Sequence, residues 1–169
     1  MGTPNEVEQL LEEIARELKD LVKQQDIKNP VMIGIHTGGV WVAEKLHRLL
    51  GLDSELGTMD ISFYRDDFTR IGINPQVQPT SLPFSIDDQH IILVDDVLHT
   101  GRTIRAAMNE LFDYGRPASI SLVTLVERSG RELPIAASIV GKQLDLEPGQ
   151  HVKLTGPDPL QLVIQKTPD

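Results

Sequence analysis

The sequence predicts an α/β protein built on an open, mainly parallel sheet with helices packed against it. Short apolar runs rich in β-branched residues alternate along the chain with segments whose apolar residues recur at helical spacing. Such alternation is typical of units in which each helix returns the chain to a parallel strand. The chain has 169 residues, of which 40% are hydrophobic and 24% are charged, so residues 1–169 are expected to form one globular domain.

Three segments carry the helical pattern. The first lies near the N-terminus and has a charged opposite face, and Asn29 and Pro30 interrupt the chain after it. The second is closed by Gly51, and the third by Gly115 and Pro117. The apolar spacing runs over residues 7–22, 40–50 and 104–112 and predicts three helices, the first of which is expected to start at Pro4 with Thr3 as its N-cap.

Strands are predicted where apolar runs are short and bounded by turn residues. Four runs in the body of the chain have this character, at residues 31–36, 56–64, 91–94 and 120–126. The tail adds three shorter strand-like pieces between Pro and Gly turns, at residues 135–140, 151–154 and 160–164. The run at 91–94 gives the strongest signal for a strand buried on both faces.

One long connection has no sustained pattern. Residues 65–89 contain Pro75, Pro79 and Pro83 and many polar side chains. A connection of this length without structure of its own is unusual in a compact domain. It is therefore predicted to be a functional lid or a hairpin arm that moves.

Charge and composition exclude several classes of function. The 16 basic and 25 acidic side chains give a net charge of -9, and that field does not attract nucleic acid or anionic membranes. The sequence has no cysteine, which excludes disulfides, thiolate zinc sites and a cysteine nucleophile. No apolar run approaches the roughly 20 residues of a membrane span, and the N-terminal segment is acidic where a signal peptide would be basic. A cytoplasmic location without membrane contact is expected.

The strongest chemical signal is a pair of carboxylates, Asp95 and Asp96, at the end of a buried strand. The turn that follows presents the hydroxyls of Thr100 and Thr103 and the amide of Gly101 at a helix N-terminus. Unpaired N–H groups make such a helix start an anion site suited to a phosphate. The two carboxylates would repel a phosphate, so sugar hydroxyls or Mg²⁺, held directly or through water, suit them better. Together the two features predict a sugar phosphate as ligand.

Residues 91–103 resemble the 5-phosphoribosyl 1-diphosphate (PRPP) signature of type I phosphoribosyltransferases, because hydrophobic strand, acidic pair and Thr-Gly-x-Thr loop follow in the same order and spacing. Further segments are similar to the branch of that family that joins uracil phosphoribosyltransferase activity to regulation of pyrimidine operons. These segments are residues 60–68, 115–117, 127–135 and 140–142. The resemblance covers residues 33–142 and implies the family's sheet, with a small hood and C-terminal strands over residues 131–169 and a flexible lid over 65–89.

The resemblance also implies roles for individual residues. Asp95, Asp96 and Arg65 would be catalytic, and the two aspartates would contact the ribose hydroxyls and hold Mg²⁺ directly or through water. Residues 36–39 would form the diphosphate loop, and residues 100–103 the cradle of the 5-phosphate. The PRPP contacts implied are Thr37, Gly38, Gly39, Asp95, Asp96, Val97, Leu98, His99, Thr100, Gly101, Arg102 and Thr103. The base or nucleotide contacts implied are Arg128, Val140, Gly141 and Lys142.

The diphosphate loop departs from the family pattern. The family usually has an Arg or Lys in this loop, where the present sequence has Gly38 and Gly39. Backbone amides and Mg²⁺ can still bind diphosphate there. The loop lacks one charge-assisted contact, which is worth about 1.5–3 kcal/mol, so slow catalysis is expected.

A second departure concerns RNA. The family's attenuation proteins present a basic first helix and a His-Arg pair before Glu-Leu-Pro. In this sequence the first helix carries Glu12, Glu13 and Glu17. Gly130 precedes Arg131, so the histidine of the pair is missing. RNA binding is possible by family, but here it is expected to be weak or absent because phosphates would meet acidic side chains.

The expected reaction transfers the phosphoribosyl group of PRPP to uracil and gives UMP and diphosphate, with Mg²⁺ as cofactor. A second hypothesis is a regulator that senses PRPP or UMP with little catalysis, which Gly38 in the diphosphate loop slightly favours. A third is a phosphoribosyltransferase for a purine or another base, which the Arg-Glu-Leu-Pro-Ile segment at 131–135 disfavours. The family also implies a homodimer or a higher homo-oligomer.

Overall fold

The computed structural model describes residues 4–61 and 80–167. The helices are α1 (Pro4–Gln24), α2 (Gly38–Leu50) and α3 (Arg102–Tyr114). The strands are β1 (Val31–Ile35), β2 (Gly57–Met59), β3 (His90–Leu98), β4 (Ser119–Arg128), β5 (Ile139–Leu144), β6 (Gln150–Thr155) and β7 (Gln161–Lys166). Within these ranges, no helix is both long enough and apolar enough to cross a membrane.

Five strands form a parallel sheet in the order β2-β1-β3-β4-β5, which confirms the predicted fold class. The central strand β3 pairs with β1 on one side and with β4 on the other. Strand β1 is buried at every position, as expected where both faces of a sheet are covered. Because all five strands are parallel, their carboxyl ends meet at one edge, where open α/β sheets bind ligands.

Two hydrophobic cores lie on opposite faces of the sheet. Residues of β3 alternate between them, since successive side chains of a strand point to opposite faces. Ile92 and Val94 join the core formed with α1 and α2, which includes Leu46. Leu93 joins the core formed with α3, which includes Ile104. The central strand is therefore held from both sides up to the point where the acidic pair begins.

Strands β6 and β7 form a separate antiparallel hairpin. Its inward side chains Leu154, Leu160 and Leu162 are 4–6% exposed and join the core of α1 and α2. At its start, the carbonyl of Gln150 accepts a hydrogen bond from Nη1 of Arg128 at 3.0 Å. The hairpin is thereby tied to the end of β4, in the region that the sequence assigns to the hood.

Two strands differ from their predicted bounds by four residues. β3 continues to Leu98 instead of ending at residue 94, because its ladder with β4 runs on through Asp95. The strand predicted at 135–140 lies at Ile139–Leu144 instead. The reason is that the backbone N–H groups of Glu132 and Leu133 donate to the carbonyl of the β3–α3 turn, which holds this part of the chain away from the sheet.

The strand predicted at residues 56–64 is observed only as β2, and residues 62–64 lie outside the described residues. Leu56 does not join the ladder, which begins where Gly57 pairs with Ile33. Asp60 and Ile61 follow β2 without joining the ladder.

The predicted lid, residues 65–89, lies only partly among the described residues. Ser81 exchanges two backbone hydrogen bonds with Thr58, at 2.8 and 2.9 Å. Ile86 is 2% exposed and belongs to the core on the α3 side. The last ten residues of the segment are therefore packed against the sheet. The lid hypothesis now applies to residues 65–79 alone, which lie outside the described residues.

Candidate functional site

Three segments singled out from the sequence follow neighbouring strand ends at the carboxyl edge of the sheet. Residues 36–39 follow β1, residues 99–103 follow β3 and residues 129–135 follow β4. The fold thus brings together the predicted diphosphate loop, the phosphate turn and the start of the hood. Arg65, predicted to be catalytic, lies outside the described residues.

The acidic pair lies within the last four residues of β3. Asp95 is 4% exposed, and Asp96 is half-buried. Oδ1 of Asp95 accepts the N–H of Asp96, and Oδ1 of Asp96 accepts the N–H of Val97, each at 2.8 Å. These bonds explain how two adjacent carboxylates fit inside a strand, and they orient both side chains before any ligand binds.

Helix α2 begins against the acidic pair with two glycines. A Cβ atom at Gly38 would lie 2.2 Å from Oδ2 of Asp96. A Cβ atom at Gly39 would lie 2.8 Å from the carbonyl oxygen of Val94 and 3.0 Å from Cα of Asp95. Neither position has room for a side chain in this arrangement. The glycines that replace the family's loop cation therefore let the start of α2 approach the carboxylates closely.

The loop between β1 and α2 presents one hydroxyl at this edge. The N–H of His36 donates to the carbonyl of Met59 at 2.9 Å, which ties the loop to β2. The His36–Thr37 peptide bond is cis. Thr37 is exposed, and its hydroxyl makes no capping hydrogen bond to α2. The Thr37 carbonyl accepts N–H groups of α2, but its hydroxyl is not used in capping the helix and can contact a ligand at the sheet edge.

The turn from β3 into α3 has the form expected of an anion site. Gly101 has a φ of +97°, in the left-handed region that favours glycine, and α3 begins at Arg102. Oγ1 of Thr100 accepts the N–H of Arg102 at 3.1 Å. The side chain of Thr103 is half-buried in the first turn of α3. The first N–H groups of a helix have no acceptor within it, so this turn suits a phosphate.

The chain that follows β4 folds over the phosphate turn. The N–H groups of Glu132 and Leu133 both donate to the carbonyl of Thr100, at 2.9 and 3.1 Å. A Cβ atom at Gly101 would lie 3.4 Å from Cβ of Leu133. On the outer surface, Nε of Arg102 donates to Oε1 of Glu132 at 2.9 Å. The phosphate turn and the first part of the predicted hood are therefore one packed unit.

A cavity of about 560 Å³ opens beside this unit, between the ends of β4 and β5. Its lining is mostly charged and polar. The lining residues are Glu127, Arg128, Ser129, Gly130, Arg131, Gln143, Leu144 and Asp145. The volume lies within the range of about 300–1,000 Å³ that is usual for small-molecule sites. The cavity is therefore the candidate site for the base or for part of a nucleotide.

The two arginines of the cavity are held differently. Nη2 of Arg131 donates to Oε1 of Glu127, so a carboxylate balances this charge. Arg128 donates to two carbonyl oxygens, those of Ser129 at 3.2 Å and of Gln150 at 3.0 Å. Within residues 4–61 and 80–167, no carboxylate forms an ion pair with Arg128. This cation favours a ligand that brings an anionic or electron-rich group.

His99, the first residue after β3, packs against the same segment. A Cβ atom at Gly130 would lie 2.9 Å from Nε2 of His99, and the φ of +112° at Gly130 also favours glycine. Partial burial lowers the pKa of His99, the Arg128 guanidinium lowers it further, and the Glu132 carboxylate opposes both effects. The neutral form of His99 is therefore favoured. The contact also explains the glycine before Arg131, where the family's attenuation proteins have histidine.

Of the four predicted base contacts, Arg128 alone lines this cavity. Nζ of Lys142 forms an ion pair with Oε1 of Glu6 on α1, at 2.5 Å. A Cβ atom at Gly141 would lie 2.6 Å from the carbonyl oxygen of Leu125, and Ile14 of α1 is its next neighbour. Gly141 and Lys142 therefore serve the contact between β5 and α1. Val140 also lies outside the cavity lining.

The sequence analysis missed the cavity residues that follow Lys142. Gln143, Leu144 and Asp145 lie at the carboxyl end of β5, beside the end of β4. The strand was predicted four residues too early, so its carboxyl end was placed at the wrong residues. Residues 139–144 read Ile-Val-Gly-Lys-Gln-Leu and do not alternate, so the sequence pattern carried no signal for the bounds of this strand.

The acidic pair fits Mg²⁺ only together with a ligand. Among the described residues, no group of three or more His, Asp or Glu side chains could hold a metal ion. In many phosphate-binding proteins, one or two carboxylates are the protein's share of a Mg²⁺ site that substrate phosphates and water complete. Asp95 and Asp96 suit a Mg²⁺ ion of that kind.

Comparison with known proteins identifies the class of protein that this fold and site define. A family model described as the phosphoribosyl transferase domain matches residues 5–152, so the chain belongs to the phosphoribosyltransferase family. Within it, the chain is a type I member that resembles "Bifunctional protein PyrR" of Nitrosococcus oceani, with 62% identity over 161 residues, or 94% of this chain and 91% of that protein. The protein of the same name from Pseudomonas aeruginosa is 57% identical over 162 residues, which cover 96% of this chain and 95% of that protein.

Solved structures agree with this assignment at the level of the fold. The hypoxanthine phosphoribosyltransferase of Trypanosoma cruzi has a TM-score of 0.73, with 99% of this chain and 96% of that chain covered. Only 21% of its residues are identical. The likeness therefore shows a shared fold and carries no argument about the base.

Proposed function

We propose that the protein transfers the 5-phosphoribosyl group of PRPP to uracil and forms UMP and diphosphate. The observation that carries the proposal is the close packing of the Asp95–Asp96 pair against the start of α2, beside a phosphate turn. Membership of the family supports phosphoribosyl transfer. The segments that resemble the pyrimidine branch support uracil as the base, and the word "bifunctional" in the relatives' name supports a regulatory role.

In the proposed reaction, the bond between ribose C1 and the diphosphate oxygen breaks, a bond from C1 to a ring nitrogen of uracil forms, and the proton of that nitrogen is released to solvent. The transition state has oxocarbenium character, so the residues position groups and no covalent nucleophile is needed. Asp95 and Asp96 accept hydrogen bonds from the ribose hydroxyls. The turn from Thr100 to Thr103 holds the 5-phosphate through backbone N–H groups. When bound, Mg²⁺ supplies neutralisation of charge on the departing diphosphate.

The start of α2 is proposed to receive the diphosphate. Gly38 and Gly39 let the backbone approach the acidic pair, and the exposed Thr37 hydroxyl adds one donor. No cationic side chain occupies this loop. We therefore expect turnover to be slow compared with relatives that carry a basic residue there.

The base is proposed to enter the cavity at the ends of β4 and β5. Uracil presents two carbonyl oxygens, and the Arg128 guanidinium is a donor without a carboxylate partner among the described residues. The Gln143 carboxamide, 3.4 Å from Oε2 of Glu127, offers both a donor and an acceptor. A small base fits a cavity of about 560 Å³ with room for part of the ribose.

A regulator that binds PRPP or UMP with little catalysis is the alternative, and the cation-free diphosphate loop favours it. Such a regulator is expected to bind RNA only weakly. Glu12, Glu13 and Glu17 are all exposed on α1. Of the basic groups near the site, Arg131 and Lys142 are each paired with a glutamate. A homo-oligomer, which the family implies, would have to gather basic groups from several subunits.

The test is an assay of the purified protein with PRPP, Mg²⁺ and a panel of bases. UMP formation with uracil, and little product with purines, is expected. If no UMP is formed but PRPP or UMP binds in isothermal titration calorimetry, the result supports the regulator. No binding of either ligand would exclude both functions.

The same protein should be tested for binding to a pyrimidine-operon leader RNA at two salt concentrations, with and without UMP. Weak binding that UMP does not enhance is expected, because the net charge of -9 opposes phosphate contacts. Nanomolar binding at physiological salt, enhanced by UMP, would contradict this expectation.

A further inference from the structure

We propose that Thr124 is a positioning residue for the acidic pair, and that its hydroxyl donates a hydrogen bond to the Asp95 carboxylate when ribose binds. The inference rests on the proposed function, in which Asp95 accepts hydrogen bonds from the ribose hydroxyls. Thr124 lies in the middle of β4, outside both the PRPP signature and the four segments that resemble the pyrimidine branch.

The first observation is an unpaired buried hydroxyl. Thr124 is 0% exposed, and within the described part of the chain its Oγ1 atom has no hydrogen-bond partner. Two other buried polar atoms share this condition, Oε2 of Glu110 and Nε of Arg131, but other atoms of those side chains are bonded. A buried hydroxyl without a partner is unfavourable and uncommon, and calls for a structural or functional explanation.

The second observation is the position of this hydroxyl. Thr124 is the register partner of Asp95 in the parallel ladder of β3 and β4. Paired residues in such a ladder are one strand spacing apart, about 4.8 Å, and their side chains lie on the same face. A threonine hydroxyl moves between staggered positions by rotation about χ1 alone. Thr124 can therefore turn its hydroxyl toward the neighbouring carboxylate without movement of the backbone.

The bond from Thr124 would hold the Asp95 carboxylate in one orientation. Oδ1 of Asp95 already accepts the N–H of Asp96 at 2.8 Å, which fixes one end of the carboxylate. A donor from β4 would hold the carboxylate from the adjacent strand and stabilise its charged form. Asp95 is 4% exposed, so water competes little with such a bond. Thr124 would then set the direction in which Asp95 meets the ribose hydroxyls.

Two variants separate the hydroxyl from the methyl group. Thr124→Val keeps the volume and removes the hydroxyl, so its melting temperature should equal or exceed that of the wild type. Its affinity for PRPP with Mg²⁺ should fall at least about tenfold, which is the low end of the effect of one hydrogen bond to a charged group. Thr124→Ser keeps the hydroxyl and removes a methyl group, so it should melt lower and bind PRPP as the wild type does. Ser121→Ala, another buried hydroxyl of β4, is the control and should leave affinity unchanged.

The measurements are isothermal titration with PRPP and Mg²⁺, thermal melting, and kcat and KM where turnover is observed. If wild-type protein binds neither PRPP nor UMP, the proposed function and this inference both fail. If the wild type binds and Thr124→Val binds equally well, the inference alone fails. Equal losses of affinity in the Val and Ser variants would show that packing, and not the hydroxyl, matters. If the Val variant does not fold, Thr124→Ala replaces it, and the inference requires the Ala variant to bind more weakly than the Ser variant.

Discussion

The two halves of the sheet edge are built in opposite ways. In the acidic half, α2 starts so close to Asp95 and Asp96 that Gly38 and Gly39 leave no room for a Cβ atom. In the cavity half, the ends of β4 and β5 enclose about 560 Å³, lined by long polar side chains such as Arg128. The acidic half has a fixed geometry, which suits a part of the ligand that is the same in every substrate. The cavity half has space for a part that differs between substrates.

This contrast predicts how each half responds to substitution. Where atoms already touch, an added or removed group must displace the site itself, because packed interiors have little free volume. Where a cavity and exposed side chains are present, neighbours and solvent absorb most of the change. Substitutions in the acidic half should therefore have the larger effects on ligand binding and on stability.

The largest effect is expected from Asp96→Asn. Asparagine keeps an oxygen that can accept the N–H of Val97, but it removes the charge that is proposed to contact the ribose hydroxyls. A hydrogen bond to a charged group is worth about 1.5–3 kcal/mol, so PRPP affinity in the presence of Mg²⁺ should fall about 10–150-fold. Isothermal titration measures this loss.

The same variant should fold as well as the wild type. Its melting temperature should be equal or higher, because the substitution relieves repulsion between Asp95 and Asp96. Asp53→Asn, on the exposed loop after α2, serves as a control for the loss of one carboxylate. A large fall in melting temperature with unchanged affinity would show that the acidic pair is structural.

Within the acidic half, alanine substitutions of the two glycines of α2 should differ in their effect on stability. Gly39→Ala would push a methyl group against the backbone of Val94 and Asp95, so unfolding free energy should fall by about 1–3 kcal/mol. The methyl group added by Gly38→Ala meets the end of the Asp96 side chain, which can move, so the unfolding free energy should change by less than about 1 kcal/mol. The PRPP affinity of this variant should fall because the methyl group displaces the Asp96 carboxylate. Chemical denaturation and titration compare the two variants, and similar stability losses in both would contradict the expected difference.

The acidic half was predictable from sequence because its residues are contiguous. The apolar run at 91–94, the acidic pair and Gly101 lie within one short segment, and their order implies a strand, a turn and a helix start. The fit of Gly38 against Asp96 was not predictable, since it depends on the approach of α2 to β3. The sequence showed only that a cation was missing from that loop, and the structure shows what occupies the space.

In the cavity half, Arg128→Gln should have an intermediate effect. It removes two hydrogen bonds to carbonyl oxygens, at 3.2 and 3.0 Å, one of which ties the hairpin to β4. UMP affinity should fall several-fold, and unfolding free energy by about 1 kcal/mol, because solvent and neighbours replace part of the interaction. Titration with UMP and chemical denaturation measure the two effects. Arg48→Gln, exposed on α2, is the matched control, and an equal effect there would exclude a role for Arg128 in binding.

The cavity half was less predictable because distant segments form it. Arg128 comes from β4, whereas Gln143 lies in β5 and Asp145 directly follows it. The ion pair between Lys142 and Glu6 could not be predicted, because the two residues are far apart in the chain. Only the packing of α1 against β5 brings the two together.

The smallest effect is expected from His99, where the two halves meet. Its pKa is lowered by partial burial and by Arg128, with smaller contributions from His151 and Arg131, and Glu132 opposes them. As the pH falls below the ordinary value of about 6.5, the unfolded chain therefore binds a proton before the folded protein does, and stability decreases. His99→Gln should remove this acid-side loss, so its melting temperature should fall less than that of the wild type between pH 7.5 and pH 5. The difference in melting temperature between the two proteins should be small because solvent screens the exposed His99 side chain. If the wild type and the variant have identical melting profiles against pH, His99 has the same pKa in the folded and unfolded states.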